Sequence, residues 1–147
     1  MLAGMFGGAV GGLAFALLMA AALIAAPPTV TTPMSALLAR LLRTDNGLLV
    51  WAVHLAAAIT FGLVFSLFVA PRQTKRVVPL ALLYSVLLWG FGAFIMLRTL
   101  TGAPLVLDAP AIIDLGGHLV FGLLLGIVYV AFFREEAQLP SARASKA

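Results

Sequence analysis

Residues 48–70 read LLVWAVHLAAAITFGLVFSLFVA, from Leu48 to Ala70, without a single Asp, Glu, Lys or Arg. A helix of about 20 residues spans roughly 30 Å, the thickness of a bilayer's hydrocarbon core. An apolar run of this length, opened by Asp45-Asn46-Gly47 and closed by Pro71-Arg72, is therefore a transmembrane helix candidate. Three more runs follow the same rule: Leu2–Ala26, Val77–Arg98 and Ala111–Phe133. Pro27-Pro28 ends the first, Gly102, Pro104 and Pro110 separate the last two, and Arg134-Glu135-Glu136 closes the fourth.

Composition gives the same answer. Of the 147 residues, 63% are hydrophobic and 10% charged, against about 45–50% and about 25% in soluble domains. The mean hydropathy is +1.16. The expected fold class is all-α: a single-domain integral membrane four-helix bundle over residues 1–147, with a disordered tail from about 137 to 147. The net charge of +4 comes from residues at span ends, where they serve topology and lipid headgroups, so no nucleic-acid partner is expected. The absence of cysteine excludes disulfides, thiolate catalysis and cysteine metal sites. No Lys or Arg precedes the first apolar run, which is also too long for a signal-peptide core; a retained helix is expected.

Between the first two spans, Thr32-Pro33 is a helix-start signal. Met34, Leu37, Leu38, Leu41 and Leu42 then repeat at helical spacing, with Arg40 and Arg43 on the other side. This predicts a short amphipathic helix over about 33–43 lying in the membrane interface, with a connector as the plain role and a lid or partner contact as the sharper one. Arg72, Lys75, Arg76, Arg134, Arg143 and Lys146 fall on one side of the bundle, and Arg40, Arg43 and Arg98 on the other. The positive-inside rule predicts that the first group, with both termini, faces the cytoplasm, and that the interfacial helix and the loop over about 100–110 face outward.

Helices in lipid associate by close packing, so small residues mark their contact faces. The first span carries Gly4, Gly8, Gly12, Ala16 and Ala20 at steps of four, with Gly7 and Gly11 beside them. These predict close packing within the monomer or in a homo-oligomer. The second span reads His54, Ala58, Gly62, Ser66, and the fourth reads Asp114, His118, Gly122, Gly126, each at steps of four. Aligning His54 with His118 also aligns Ala58 with Gly122, Gly62 with Gly126 and Phe65 with Tyr129. This reads as an internal repeat of two helical hairpins.

His54 and His118 are the only histidines, and an ionisable residue within a span is a functional candidate. Across the diagonal of a bundle the two imidazoles can approach one central atom from opposite sides, as axial ligands of a haem iron. On that reading Ala58, Gly62, Gly122 and Gly126 leave room for the macrocycle. Asp114 accepts the second ring N–H of His118 as outer support, and Arg98 meets a propionate. Haem b is the leading cofactor candidate. Two His are few for a zinc or copper centre, and the alternative is an ordinary interhelical hydrogen-bonding role. Ser66 and Ser85 lack the base of a nucleophile site, so an enzyme is not expected.

Trp51-Ala52-Val53-His54, Phe61-Gly62-Leu63-Val64-Phe65, the Ala70-Pro71 exit, Gly117-His118-Leu119-Val120-Phe121-Gly122 and Gly126-Ile127-Val128-Tyr129 resemble small four-span bacterial inner-membrane proteins of unknown function. The resemblance implies a bacterial plasma membrane and a four-helix fold, and brings no activity. Three functions are therefore expected. First is a membrane subunit or scaffold packing with itself or within a larger complex. The alternative is a two-His b-type haem protein transferring electrons near the outer face. Third is a small-solute channel or transporter, which the lack of charge deep in the spans disfavours.

Overall fold

The computed structural model describes residues 1–25, 33–69, 74–102 and 107–144. They form α1 (Leu2–Ala25), α2 (Pro33–Leu42), α3 (Gly47–Phe68), α4 (Thr74–Gly90), a π-helical turn (Phe91–Met96), α5 (Leu97–Thr101) and α6 (Ala109–Ala144), with no strand among the described residues. Four segments are long and apolar enough to cross a membrane: Leu2–Ala22, Gly47–Phe68, Lys75–Leu100 and Ala109–Phe133. Their outward faces carry Leu17, Leu67, Leu83, Leu87 and Ile127 exposed, while Ser85, Asp114 and His118 are buried. Apolar outside and polar inside is the reverse of a soluble bundle and is the pattern of a multi-pass membrane protein.

Each span begins and ends for local reasons. Asn46 caps α3 by accepting from the Leu49 N–H at 3.2 Å, and Asp108 caps α6 by accepting from the Ala111 N–H at 3.0 Å. At the other end of α3, the Val69 carbonyl has no helical successor to bond and accepts from the Tyr129 hydroxyl at 2.9 Å. The third span ends at Gly102, whose φ of 66° is the left-handed conformation that closes a helix and whose N–H bonds the Arg98 carbonyl. Arg43 takes the same left-handed role after α2, with a φ of 49°, and the Thr44 N–H reaches back to the Ala39 carbonyl in a Schellman-type closure.

The fourth apolar segment ends at Phe133, as expected, while the helix α6 itself runs on to Ala144. Glu135, Glu136, Ala137, Gln138 and Leu139 are all strong helix formers, and no capping glycine interrupts them. The third span is longer than Val77–Arg98, because Thr74, Lys75 and Arg76 join α4 ahead of Val77. The breakers Pro27-Pro28 and Pro71-Arg72, Pro104, and the last residues 145–147 lie outside the described residues.

The glycines set the arrangement. A Cβ on Gly8 would strike the Ala58 carbonyl, and one on Gly4 the Gly62 carbonyl, so α1 lies backbone to backbone against α3. A Cβ on Gly7 would come within 2.8 Å of Leu125, and one on Gly11 within 2.8 Å of Phe121, both on α6. On α6, Gly122 and Gly126 face Ser85, Ala81 and Val78 of α4. Thus α1 packs on both α3 and α6, and α6 also packs on α4. The α3 and α6 helices are diagonal, and the seam between α3 and α4 has no such close backbone contact. Side chains bridge it instead: the Tyr84 hydroxyl donates to the Phe61 carbonyl at 3.0 Å, and Tyr84 packs on Phe65 at 5.4 Å between ring centroids.

These contacts predict opposite outcomes for two glycines. Gly62→Val places its Cβ against the Gly4 carbonyl and 2.8 Å from the Gly8 Cα, with backbone on both sides unable to yield. It lowers stability by about 1–3 kcal/mol. Gly116→Ala meets nothing within 4 Å and gains about 0.5–1 kcal/mol from the lower backbone entropy of the unfolded chain. Unfolding in mixed SDS micelles followed by circular dichroism reads both.

Candidate functional site

The open α3–α4 seam leads to an interior cavity of about 200 Å3 toward the α2 end of the bundle. His54, Ala57, Ala58 and Phe61 line it from α3, and Phe15 from α1. Across from them stand Leu88 of α4 and Phe91, Gly92 and Met96 of the π-helical turn, with His118 and Phe121 from α6. Leu38 and Leu41 of α2 complete the wall, so the amphipathic helix closes this end of the cavity. Its rim reaches the outside of the bundle at Phe61, Leu41 and Phe91, all exposed.

Local geometry explains why these side chains meet. His54 lies two helical turns past the start of α3, and His118 two and a half turns past the start of α6. Phe15 of α1 stands between them. Its ring stacks on His54 with centroids 4.7 Å apart and planes at 29°, and meets His118 edge-on at 5.0 Å and 84°. Trp51, one turn before His54, packs against the outer edge of that imidazole at 5.6 Å.

The polar atoms have definite roles. His118 Nδ1–H donates to the Asp114 backbone carbonyl at 2.9 Å. That bond assigns the proton to Nδ1 of the neutral imidazole and leaves Nε2 as an acceptor. The Asp114 carboxylate is not the partner expected from the sequence: its nearer oxygen is 3.9 Å from Nδ1, beyond hydrogen-bond reach. A helical side chain points back over its preceding turn, and an imidazole at i+4 finds the carbonyl there first. Three buried side-chain atoms, His54 Nε2, Asp114 Oδ1 and Trp89 Nε1, have no hydrogen-bond partner among the described residues.

The remaining expected site residues divide. Ala58 lines the cavity but also meets Gly12 of α1. Gly62 is closed over by Gly4 and Gly8, Gly122 by Ser85 and Ala81, and Gly126 by Val78. These three glycines serve helix contacts, and the space they release is filled by neighbouring backbone. Arg98 is exposed near the end of the third span, outside the cavity wall. Among the described residues, no group of three or more His, Cys, Asp or Glu stands where it can hold a metal ion. Ser66 and Ser85 turn their hydroxyls back to the Leu63 and Leu82 carbonyls at 2.6 and 2.8 Å.

Phe15 and the π-helical turn are additions to the site expected from the sequence, and Leu38 and Leu41, expected as part of the apolar face of the interfacial helix, join its wall. Phe15 was within reach of a sequence reading: Gly7, Gly11, Phe15 and Met19 form one stripe at steps of four, and its last two members contact Gly117 of α6. The π-helical turn has a weaker signal, the glycine pair Gly90 and Gly92 around Phe91; such turns concentrate at functional sites. No family model, no curated protein and no solved structure matches the chain.

The placement of Phe15 yields a prediction. In the Phe15→Ala variant, carbethoxylation of His54 and His118 by diethyl pyrocarbonate runs several-fold faster than in the parent chain, read by peptide mass spectrometry. Equal rates would mean that the phenyl ring does not shield the imidazoles.

Proposed function

We propose that this chain is a small non-enzymatic binding subunit of the bacterial inner membrane, which holds one small, largely apolar molecule between its second and third spans. The observation that carries the reading is the cavity itself. It is apolar-walled, of about 200 Å3, bordered by both histidines of the chain and reaching the outer face of the bundle along its least tightly packed seam. Ligand sites have this form, an apolar recess with a few convergent polar groups, and lie between the helices of bundles. The charge bias of the loops supports cytoplasmic termini, which puts the cavity in the outer half of the bilayer.

The reading as two related hairpins is supported by equivalent contacts in the two halves. Ala58 and Gly62 meet α1, and their aligned counterparts Gly122 and Gly126 meet α4. The aligned pair Phe65 and Tyr129 touch each other, with centroids 5.7 Å apart. The glycine stripes, however, are spent on contacts inside the monomer, so they supply no argument for an oligomer. The channel reading lacks a path, because Phe65, Leu125 and Tyr129 fill the interior beyond the cavity.

The haem alternative asks His54 and His118 to meet on one iron. Phe15 occupies the position between the rings, and the glycines proposed to make room for a macrocycle are closed by backbone. A cavity of about 150 Å3 takes one benzene; a tetrapyrrole carries four rings. The geometry therefore favours a single-ring ligand.

Ala57 faces the cavity without joining the α1 contact, so Ala57→Phe fills the site and spares the bundle. Organic extraction of the gently purified protein, analysed by mass spectrometry, should yield a small molecule that the Ala57→Phe variant lacks at unchanged thermal stability. The same protein, expressed with adequate haem, should show no Soret band. An identical extract from both proteins would remove the cavity from consideration, and a Soret band lost in His54→Ala or His118→Ala would restore the haem reading.

A further inference from the structure

The cavity's polar atoms restrict the ligand further than its volume does. His118 Nδ1–H is engaged by the Asp114 carbonyl, so the ring nitrogen left to a ligand is Nε2, which accepts and does not donate. His54 Nε2 is buried out of reach of the recess and has no partner among the described residues, so His54 contributes the apolar part of its ring to the wall. Phe15 packs against both imidazoles, with ring centroids at 4.7 and 5.0 Å. The other walls are hydrocarbon and aromatic: Phe61, Leu88, Phe91, Met96 and Phe121. The recess holds one six-membered ring with small substituents, given that about 150 Å3 suffices for benzene. Its rim at Phe61, Phe91 and Leu41 is exposed on the apolar flank of the bundle, which lets an attached hydrocarbon tail remain in lipid.

We infer that the site binds a lipid-borne hydroxylated aromatic ring of the quinol class, seated against Phe15 with one hydroxyl donating to His118 Nε2. This rests on the cavity reading above and adds the chemistry of the occupant. The tautomer gives the inference a direction. A quinol donates to His118, whereas the corresponding quinone presents only carbonyl oxygens to an acceptor nitrogen, and two acceptors facing each other in an apolar recess are unfavourable. The reduced form is therefore the preferred ligand. A fatty acid would bring a carboxylate into a recess that offers no cation, since Arg98, Arg40 and Arg43 are all exposed and none lines it. A plain aromatic hydrocarbon fills the space and brings no donor to His118 Nε2.

The test is isothermal titration of the full chain in detergent, under anaerobic conditions, with three probes of one ring size and one short isoprenoid tail: a benzoquinol, its dimethyl ether and the matching alkylbenzene. The quinol should bind at least tenfold more tightly than its dimethyl ether, which cannot donate; tenfold is about 1.4 kcal/mol. His118→Phe should abolish that difference while retaining alkylbenzene binding. The comparison of quinol with ether in the parent chain stands even if His118→Phe fails to fold, and His54→Gln, which keeps a hydrogen-bonding amide, serves as a milder variant that should retain most of the preference. If the three probes bind equally, and Ala57→Phe weakens all three, the quinol class is overturned and the cavity reading stands. If none binds, both are overturned.

Discussion

Backbone-to-backbone contact at α1 is the constraint on which the rest of this molecule depends. Between lipid-exposed helices there is no hydrophobic gain from association, because a lipid tail is as apolar as a leucine; close packing must supply the attraction. The α1 helix obtains it twice. Gly4 and Gly8 admit the carbonyls of Gly62 and Ala58, and Gly7 and Gly11 admit α6. A helix held this tightly on two sides fixes its neighbours on opposite flanks, and so places α3 and α6 on the diagonal. The α4 helix can then be held closely by α6 through Gly122 and Gly126, and its contact with α3 falls to side chains such as Tyr84. The cavity is the consequence of that imbalance. Three seams of the bundle are closed by missing Cβ atoms, and the fourth is held by a tyrosine and aromatic packing.

Much of this was legible in the residues. The spans followed from uncharged apolar runs, and α2 from leucines at helical spacing after Pro33. The diagonal placement of the two histidine helices followed from their order in an up-and-down bundle. What a stripe of small residues does not say is which helix it meets. Reading Gly62, Gly122 and Gly126 as space beside the histidines treated the absence of a side chain as an opening. Among lipid-embedded helices the same absence draws a neighbouring backbone in. The stripe also does not stop where its glycines stop. Phe15 continues the line of Gly7 and Gly11, and a bulky residue at the end of a close-packed seam must project into whatever space lies beyond. Here that space is the gap between two imidazoles. The π-helical turn at Phe91–Met96 lay beyond periodicity arguments, which assume the same 3.6-residue repeat throughout the helix.

The placement of Phe15 also bears on the proposed class of ligand. Two histidines on facing helices have the same residue types whether they clamp a metal or line a recess. The group between them separates the cases. A phenyl ring stacked on one imidazole and edge-on to the other has favourable geometry with both, and its removal would cost packing on α1, α3 and α6 together. The bundle is thus built to keep the imidazoles apart, each aimed by its own helix, and the room left beside them matches one ring.

The polar atoms complete the argument. An apolar interior that leaves a hydrogen-bonding atom without a partner carries a free-energy cost of about 1–3 kcal/mol for each such atom. Among the described residues, His54 Nε2, Asp114 Oδ1 and Trp89 Nε1 sit in that condition, while the serines, threonine and tyrosines nearby have all found carbonyls. Those hydroxyls resolve their own needs within the helix or across one seam. A Phe or Leu at position 54 would carry no such need and would still pack on Phe15. His54 Nε2 is out of reach of the recess, so its missing partner is no argument for a ligand. The proposed ligand is specified by His118 alone: it must bring a proton to give to Nε2, because the other nitrogen is already committed to the backbone carbonyl of Asp114.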